Sequence, residues 1–267
     1  MPHARNPIDG TRVYFEDDGG NGATVVLYGG ILDSVALVRE SDIARSLKDL
    51  HEEFRLVFAD HRGLGKSDKP HDVKGYSMSL RVADVVAILD ELRIRQAHFI
   101  GTSYGGRLCF GIGEHAPERV LSLVIGGQQP YAMDPNAPIA RSVTEGTEAI
   151  RKRGIEAFVE ALEKGGNMRL PEPQRTEYLK NDPDAITAAS DAMLAEGTVA
   201  HNLERWKFPC LIFVGANDAD FYDQAKRAAD EIPNSELLAL EGLGHLGAHL
   251  QQDLVIPAVL RTLRAVG

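Results

Sequence analysis

The chain has 267 residues, 43% hydrophobic and 25% charged, which suits one large or two small soluble globular domains whose core needs no disulfide or metal. A formal net charge of −10 argues against nucleic acid and anionic membrane as partners, and no basic stripe offsets it. Cys109 and Cys210 read as reduced core thiols, no run is long enough to span a bilayer, and residues 1–7 lack the apolar stretch of a signal peptide, so a cytoplasmic setting is expected.

Residues 11–16 read as a strand and 17–22 as a turn, and 23–28 form a more apolar strand ending on Gly29-Gly30. Apolar positions 35, 38, 43, 47 and 50 carry helical spacing over 35–50. Residues 54–59 are a third strand, and 78–92 a helix with apolar positions 82, 85, 86, 89 and 92. The run 96–100 has the length of a buried strand; 107–115 start a helix, and Pro117 stands where it has ended. Residues 120–125 give another strand, closed by Gly126-Gly127.

From 128 to about 206 the alternation stops, and the patterns are helical over 147–164, 173–180 and 184–196. Alternation returns with strands at 210–214 and 236–240 and helices at 221–232 and 248–264. Such a pattern implies a mostly parallel, doubly wound α/β sheet covered on both faces. The expected division is a core domain of residues 1–127 and 207–267 with a helical cap insertion at 128–206. An insertion placed there should lie over the strand C-terminal ends, where open α/β sheets bind ligands.

Gly101-Thr102-Ser103-Tyr104-Gly105-Gly106 falls where a strand runs straight into a helix. Glycines two residues either side of Ser103 permit a sharp turn that lifts the hydroxyl clear of the sheet, and the helix start supplies free N–H groups for an oxyanion. A serine hydroxyl needs a base, and the base needs a partner that holds its tautomer. Asp218 lies just past the strand 210–214, and His245 just past the strand 236–240. The chain order Ser, Asp, His is that of an elbow-type hydrolase.

On these residues the chain resembles the α/β-hydrolase superfamily, in its branch of small capped esterases and lactonases. The likeness extends to Tyr28-Gly29-Gly30 in the oxyanion-loop position, Asp60-x-Arg62-Gly63-x-Gly65-x-Ser67, Gly215-x-x-Asp218 and Gly244-His245. The resemblance implies an α/β-hydrolase fold with Ser103 as nucleophile, His245 as general base, Asp218 as its orienting acid, and the N–H groups of Gly30 and Tyr104 as the oxyanion hole. Tyr28 departs from the histidine most members carry, which leaves Gly30 or Ile31 as the loop donor. Tyr28, Tyr131, Phe158 and Trp206 are the residues expected to face substrate; Met133, Met168, Tyr178 and Met193 complete the insertion's large apolar set.

Rival readings are weaker. Asp220 and Asp223 suit a helix cap better than the acid role. His245 and His249 have the spacing of two zinc ligands on a helix, but Leu246 stands where the motif has glutamate. Gly65-Lys66-Ser67 imitates a phosphate-binding loop, but Asp60 occupies the earlier glycine position. Arg62 is expected to brace its loop through a carboxylate, and Arg107 to be structural. No metal or organic cofactor is implied. The partner expected is a neutral, moderately hydrophobic small-molecule ester or lactone, with no nucleic acid and no membrane; a homodimer is left open. Serine rather than aspartate at the elbow points to acyl transfer. A ligand-sensing receptor with little turnover, or a C–C bond hydrolase or lyase, are the alternatives on this scaffold.

Overall fold

The structure, a computed structural model, describes residues 2–165 and 169–266; Met168 lies outside the described residues. The strands are β1 (His3–Arg5), β2 (Arg12–Gly19), β3 (Ala23–Tyr28), β4 (Phe54–Ala59), β5 (Ala97–Thr102), β6 (Val120–Gly126), β7 (Cys210–Gly215) and β8 (Ser235–Leu240). They form one sheet in the order β1-β2-β4-β3-β5-β6-β7-β8. The β1–β2 and β2–β4 pairs are antiparallel, and every pair from β4 across to β8 is parallel. The chain therefore has the α/β-hydrolase fold expected for it.

The helices are α1 (Val35–Val38), α2 (Asp42–Lys48), α3 (Met78–Glu91), α4 (Tyr104–His115), α5 (Pro138–Arg153), α6 (Ile155–Gly165), α7 (Glu172–Tyr178), α8 (Pro183–Ala195), α9 (Tyr222–Glu231), α10 (His245–Leu250) and α11 (Ile256–Arg264). The two-residue period of the strands sorts their side chains to opposite faces. Val26, Tyr28, Phe99 and Ile212 join the apolar cluster covered by α3, α4 and α9. Val25, Leu27, Ile100 and Leu211 join the one covered by α1, α2 and α11. Both faces are thus buried, which is why the central strands read as unbroken apolar runs.

Three expected helices are each broken in two. Residues 35–50 part between α1 and α2, where the Ser41 hydroxyl caps α2 by accepting the Ala44 N–H at 3.2 Å. Residues 147–164 part at Gly154, whose φ of +80° an L side chain rarely adopts. Residues 248–264 part before α11, whose first turn holds a proline. Strand β1 was too short to show a period.

Between β6 and β7 the described residues form only helices and loops. Arg107 of α4 ties both ends of this segment down. Its guanidinium donates to Glu196 at 2.8 Å and to the carbonyls of Gln129, Tyr131 and Gly197. Arg62 likewise pairs with Asp84 and Asp9, as the brace expected of it. Among the described residues no helix is long and apolar enough to cross a membrane.

Candidate active site

Ser103 sits between β5 and α4 with φ 50° and ψ −111°. Positive φ costs a non-glycine residue on the order of 1–3 kcal/mol, so the surroundings must enforce it. They do so through two short bonds: the Ser103 N–H donates to the Gly126 carbonyl at 2.7 Å, and the Gly105 N–H to the Gly29 carbonyl at 3.0 Å. A Cβ on Gly101 would lie 2.2 Å from the Gly105 oxygen, and one on Gly105 would lie 2.7 Å from the Gly29 oxygen. Only glycine fits at either side of the turn.

Three distant side chains meet at the C-terminal edge of the sheet. His245 Nε2 lies 3.0 Å from Ser103 Oγ, and His245 Nδ1 lies 2.8 Å from Asp218 Oδ2. The Asp218 side chain is 3% exposed and that of His245 32%. A buried carboxylate that accepts the Nδ1–H leaves Nε2 as an acceptor for the serine proton. Asp218 is held in a turn by its own N–H on the Gly215 carbonyl at 3.0 Å. Asp220 is used elsewhere, accepting the Ile139 N–H at the start of α5 at 3.1 Å, and Asp223 lies in the first turn of α9.

Several expected contacts fall elsewhere. Strand alternation sends the Tyr28 ring to the face of Val26, where it meets His61 at 4.8 Å and is 3% exposed. Burial pushes His61 down to about 3, so its neutral ring donates from Nε2 to the Gly29 carbonyl at 3.0 Å. Trp206 packs on Phe110, Phe208 and Gly113, well along α4 from the serine. Tyr131 turns to α9, with Arg227 over its ring at 4.0 Å. Phe158 is buried in a cluster that also takes Ile31, Leu32 and Leu246, beside the loop after β3 and the start of α10.

Further residues complete the surroundings. Ile31, Ala192 and Met193 pack against the cluster of Tyr76, Tyr104, Ala188 and Ala189, bringing α8 over the elbow. The Tyr104 ring lies under the Arg81 guanidinium at 3.8 Å, and its N–H heads α4, where no intrahelical carbonyl can reach it. The Gly30 N–H, expected to serve an oxyanion, instead donates to Asp33 Oδ2 at 2.6 Å. Asp33 is 4% exposed and also meets His249 Nε2 at 3.1 Å and the Tyr178 hydroxyl at 3.0 Å. Burial favours the neutral acid, but His249 and the donated hydrogen bonds outweigh it and lower the Asp33 pKa. Burial likewise disfavours charge on His249, and Asp33 overcomes that and raises its pKa. The one available signal for this pair was the four-residue spacing of His249 from His245, which places both on one helix face.

The two α10 histidines thus face separate carboxylates. Among the described residues, one group with metal-ligand chemistry converges: His71, Asp182 and Asp184, at the surface. Asp182 there already caps α8 by accepting the N–H groups of Asp184 and Ala185.

Residues 23–147 match a family model described as the alpha/beta hydrolase fold. A 2-hydroxy-6-oxononadienedioate/2-hydroxy-6-oxononatrienedioate hydrolase of Burkholderia vietnamiensis is 27% identical over 260 residues, covering 89% of this chain and 86% of its own. The esterase EaEST of Exiguobacterium antarcticum superposes with a TM-score of 0.82 at 22% identity, covering 99% of this chain and 100% of its own. The enol-lactonase of Burkholderia xenovorans LB400 gives 0.80 at 21% identity, over 98% of this chain and 100% of its own. Sheet order, strand-to-helix elbow and these likenesses agree that this chain carries the α/β-hydrolase fold.

Proposed function

We propose that the protein is a serine hydrolase that cleaves a carboxylic ester or lactone of a neutral, moderately hydrophobic small molecule. The observation that carries this reading is the unbroken hydrogen-bond line from Ser103 Oγ through His245 to the buried Asp218. In the reaction, His245 Nε2 takes the serine proton as Oγ attacks the substrate carbonyl carbon. The carbonyl π pair moves to oxygen and is met by backbone N–H donors, among them that of Tyr104. Collapse expels the alkoxide, which receives the proton from His245 and leaves an acyl-serine. Water, deprotonated by His245, attacks the acyl carbon; the serine leaves with the proton and the acid is released.

A moderately hydrophobic substrate is supported by the apolar clusters beside the elbow and the loop before it, to which Ile31, Phe158, Met193 and Leu246 belong. Esterase and enol-lactonase folds of the same whole-chain shape agree with this choice. A second reading, hydrolysis of a C–C bond beside a ketone, is favoured by the whole-length relative named for a dienedioate. Charge argues for the ester. A dienedioate carries two carboxylates, whereas the buried Arg107 is spent on Glu196 and three carbonyls, and Arg81 donates to the Tyr104 carbonyl.

A fluorophosphonate probe should label the wild type, and Ser103→Ala should abolish the label. Labelling that survives the substitution would end the proposal. A parallel panel of p-nitrophenyl esters and lactones separates a hydrolase from a ligand receptor of the same fold: turnover supports the hydrolase, while ligand-induced stabilisation without turnover supports a receptor.

A further inference from the structure

We propose that Asp33 is a positioning residue that pins the turn of residues 30–33 and so makes the Ile31 N–H, not that of Gly30, the second donor to the oxygen that becomes negative when Ser103 attacks. The assignment rests on the acyl-transfer reading above. Asp33 closes the turn twice. Its N–H donates to the Gly30 carbonyl at 3.1 Å, and its carboxylate accepts the Gly30 N–H at 2.6 Å. Ile31 and Leu32 are the two central residues of that turn. In a turn closed from first to fourth residue, the N–H groups of the central pair have no partner within it.

The Gly30 N–H is a poor candidate for the same task. It lies on a carboxylate, and a second anion at that hydrogen would be repelled. Freeing it would strip a donor from a buried charge. Asp33 is also held from elsewhere: His249 grips it from α10, one turn beyond His245, and Tyr178 from α7. The turn faces the nucleophile. A Cβ built on Gly30 would lie 3.8 Å from the Cβ of Ser103, and Ile31 packs against the cluster that holds Tyr104, the other donor's own residue. Asp33 thereby joins the donor loop, the helix of the base and the helical segment in one buried junction.

The test reads the second-order rate of Ser103 phosphonylation, because the phosphonyl oxygen occupies the place of the oxyanion. Asp33→Ala removes the pin and should slow inactivation by about tenfold or more. Asp33→Asn keeps an oxygen for the Gly30 N–H and should recover most of that loss. Ile31→Pro removes the N–H itself, and the position tolerates it: proline suits the first central position of such a turn, and glycine precedes it. Neither Ile31 nor Leu32 is among the non-glycine residues of positive φ, Arg93 and Ser103. Ile31→Pro should be about a hundredfold slower than Ile31→Ala, the cost of one oxyanion donor.

An Asp33→Ala rate equal to or above that of the wild type would make Gly30 the donor and overturn the assignment. So would Ile31→Pro matching Ile31→Ala, and that comparison decides alone should Asp33→Ala fail to fold. A wild type that takes no label at all overturns the acyl-transfer reading itself, a result distinct from these.

Discussion

Asp218→Asn changes one buried atom and tests the proposed chemistry directly. In the structure the carboxylate takes the Nδ1–H of His245 at 2.8 Å while the side chain is 3% exposed. An asparagine that presents its NH2 there must donate to Nδ1. The ring then carries its hydrogen on Nε2, where it can only donate to Ser103 and cannot accept its proton. Turnover should fall by about three to four orders of magnitude, which is roughly 4–5.5 kcal/mol of barrier. If the amide turns its oxygen to Nδ1, the tautomer survives, but the imidazolium of the transition state loses its counter-charge. Exchanging a charge-assisted bond for a neutral one costs about 1.5–2 kcal/mol, so the floor is a loss of roughly tenfold. Initial rates on a p-nitrophenyl ester and the phosphonate inactivation rate, measured with a thermal melt to confirm folding, give the answer. A loss below tenfold in a folded variant would move the orienting acid away from Asp218.

Gly127 has φ +57°, and a Cβ there would lie 3.2 Å from His245 Cε1, so Gly127→Ala should displace the ring and lower kcat more than it raises KM; an unchanged kcat would mean the ring yields freely. Arg107→Met leaves Glu196 and three carbonyls without their buried donor, and urea unfolding should show a loss of about 3–5 kcal/mol; a loss under 1 kcal/mol would mean that water replaces the guanidinium. The Asp33–His249 pair gives a stability with a pH window. The lowered Asp33 contributes above its ordinary 3.8 and loses that contribution as pH falls through its folded value. The raised His249 contributes below its ordinary 6.5 and loses that contribution as pH rises through its folded value. Tyr178 also faces Asp33, but burial and that carboxylate push its hydroxyl well up, so it stays protonated across this range. The Tm advantage of the wild type over His249→Gln should therefore shrink as pH rises from 6.5 through the raised folded pKa of His249, and an advantage that grows with pH would reverse the assigned charges.

The sequence alone determined the alternation of strands β2 to β8 with helices and pointed to the three residues proposed to react. Buried parallel strands write themselves as short apolar runs, and an elbow needs glycine where backbones touch, so both leave local marks around 96–106, 210–218 and 236–245. Periodicity could not show where a helix breaks, because Gly154 and the proline opening α11 act on backbone angles rather than on the apolar pattern. Facing was decided only in three dimensions. Tyr28 has the chemistry of a pocket residue, but the two-residue alternation of β3 turns it under α4 against His61. Trp206 and Tyr131 lie in or beside the helical segment, yet α4 and α9 offered them closer partners. Asp33, His249 and Tyr178 stand far apart in the chain, and nothing in their spacing announces a shared site. Their junction exists because folding carries the loop after β3, the helix after β8 and a helix of the intervening segment to one point. A buried carboxylate is stable there only with all three donors in place.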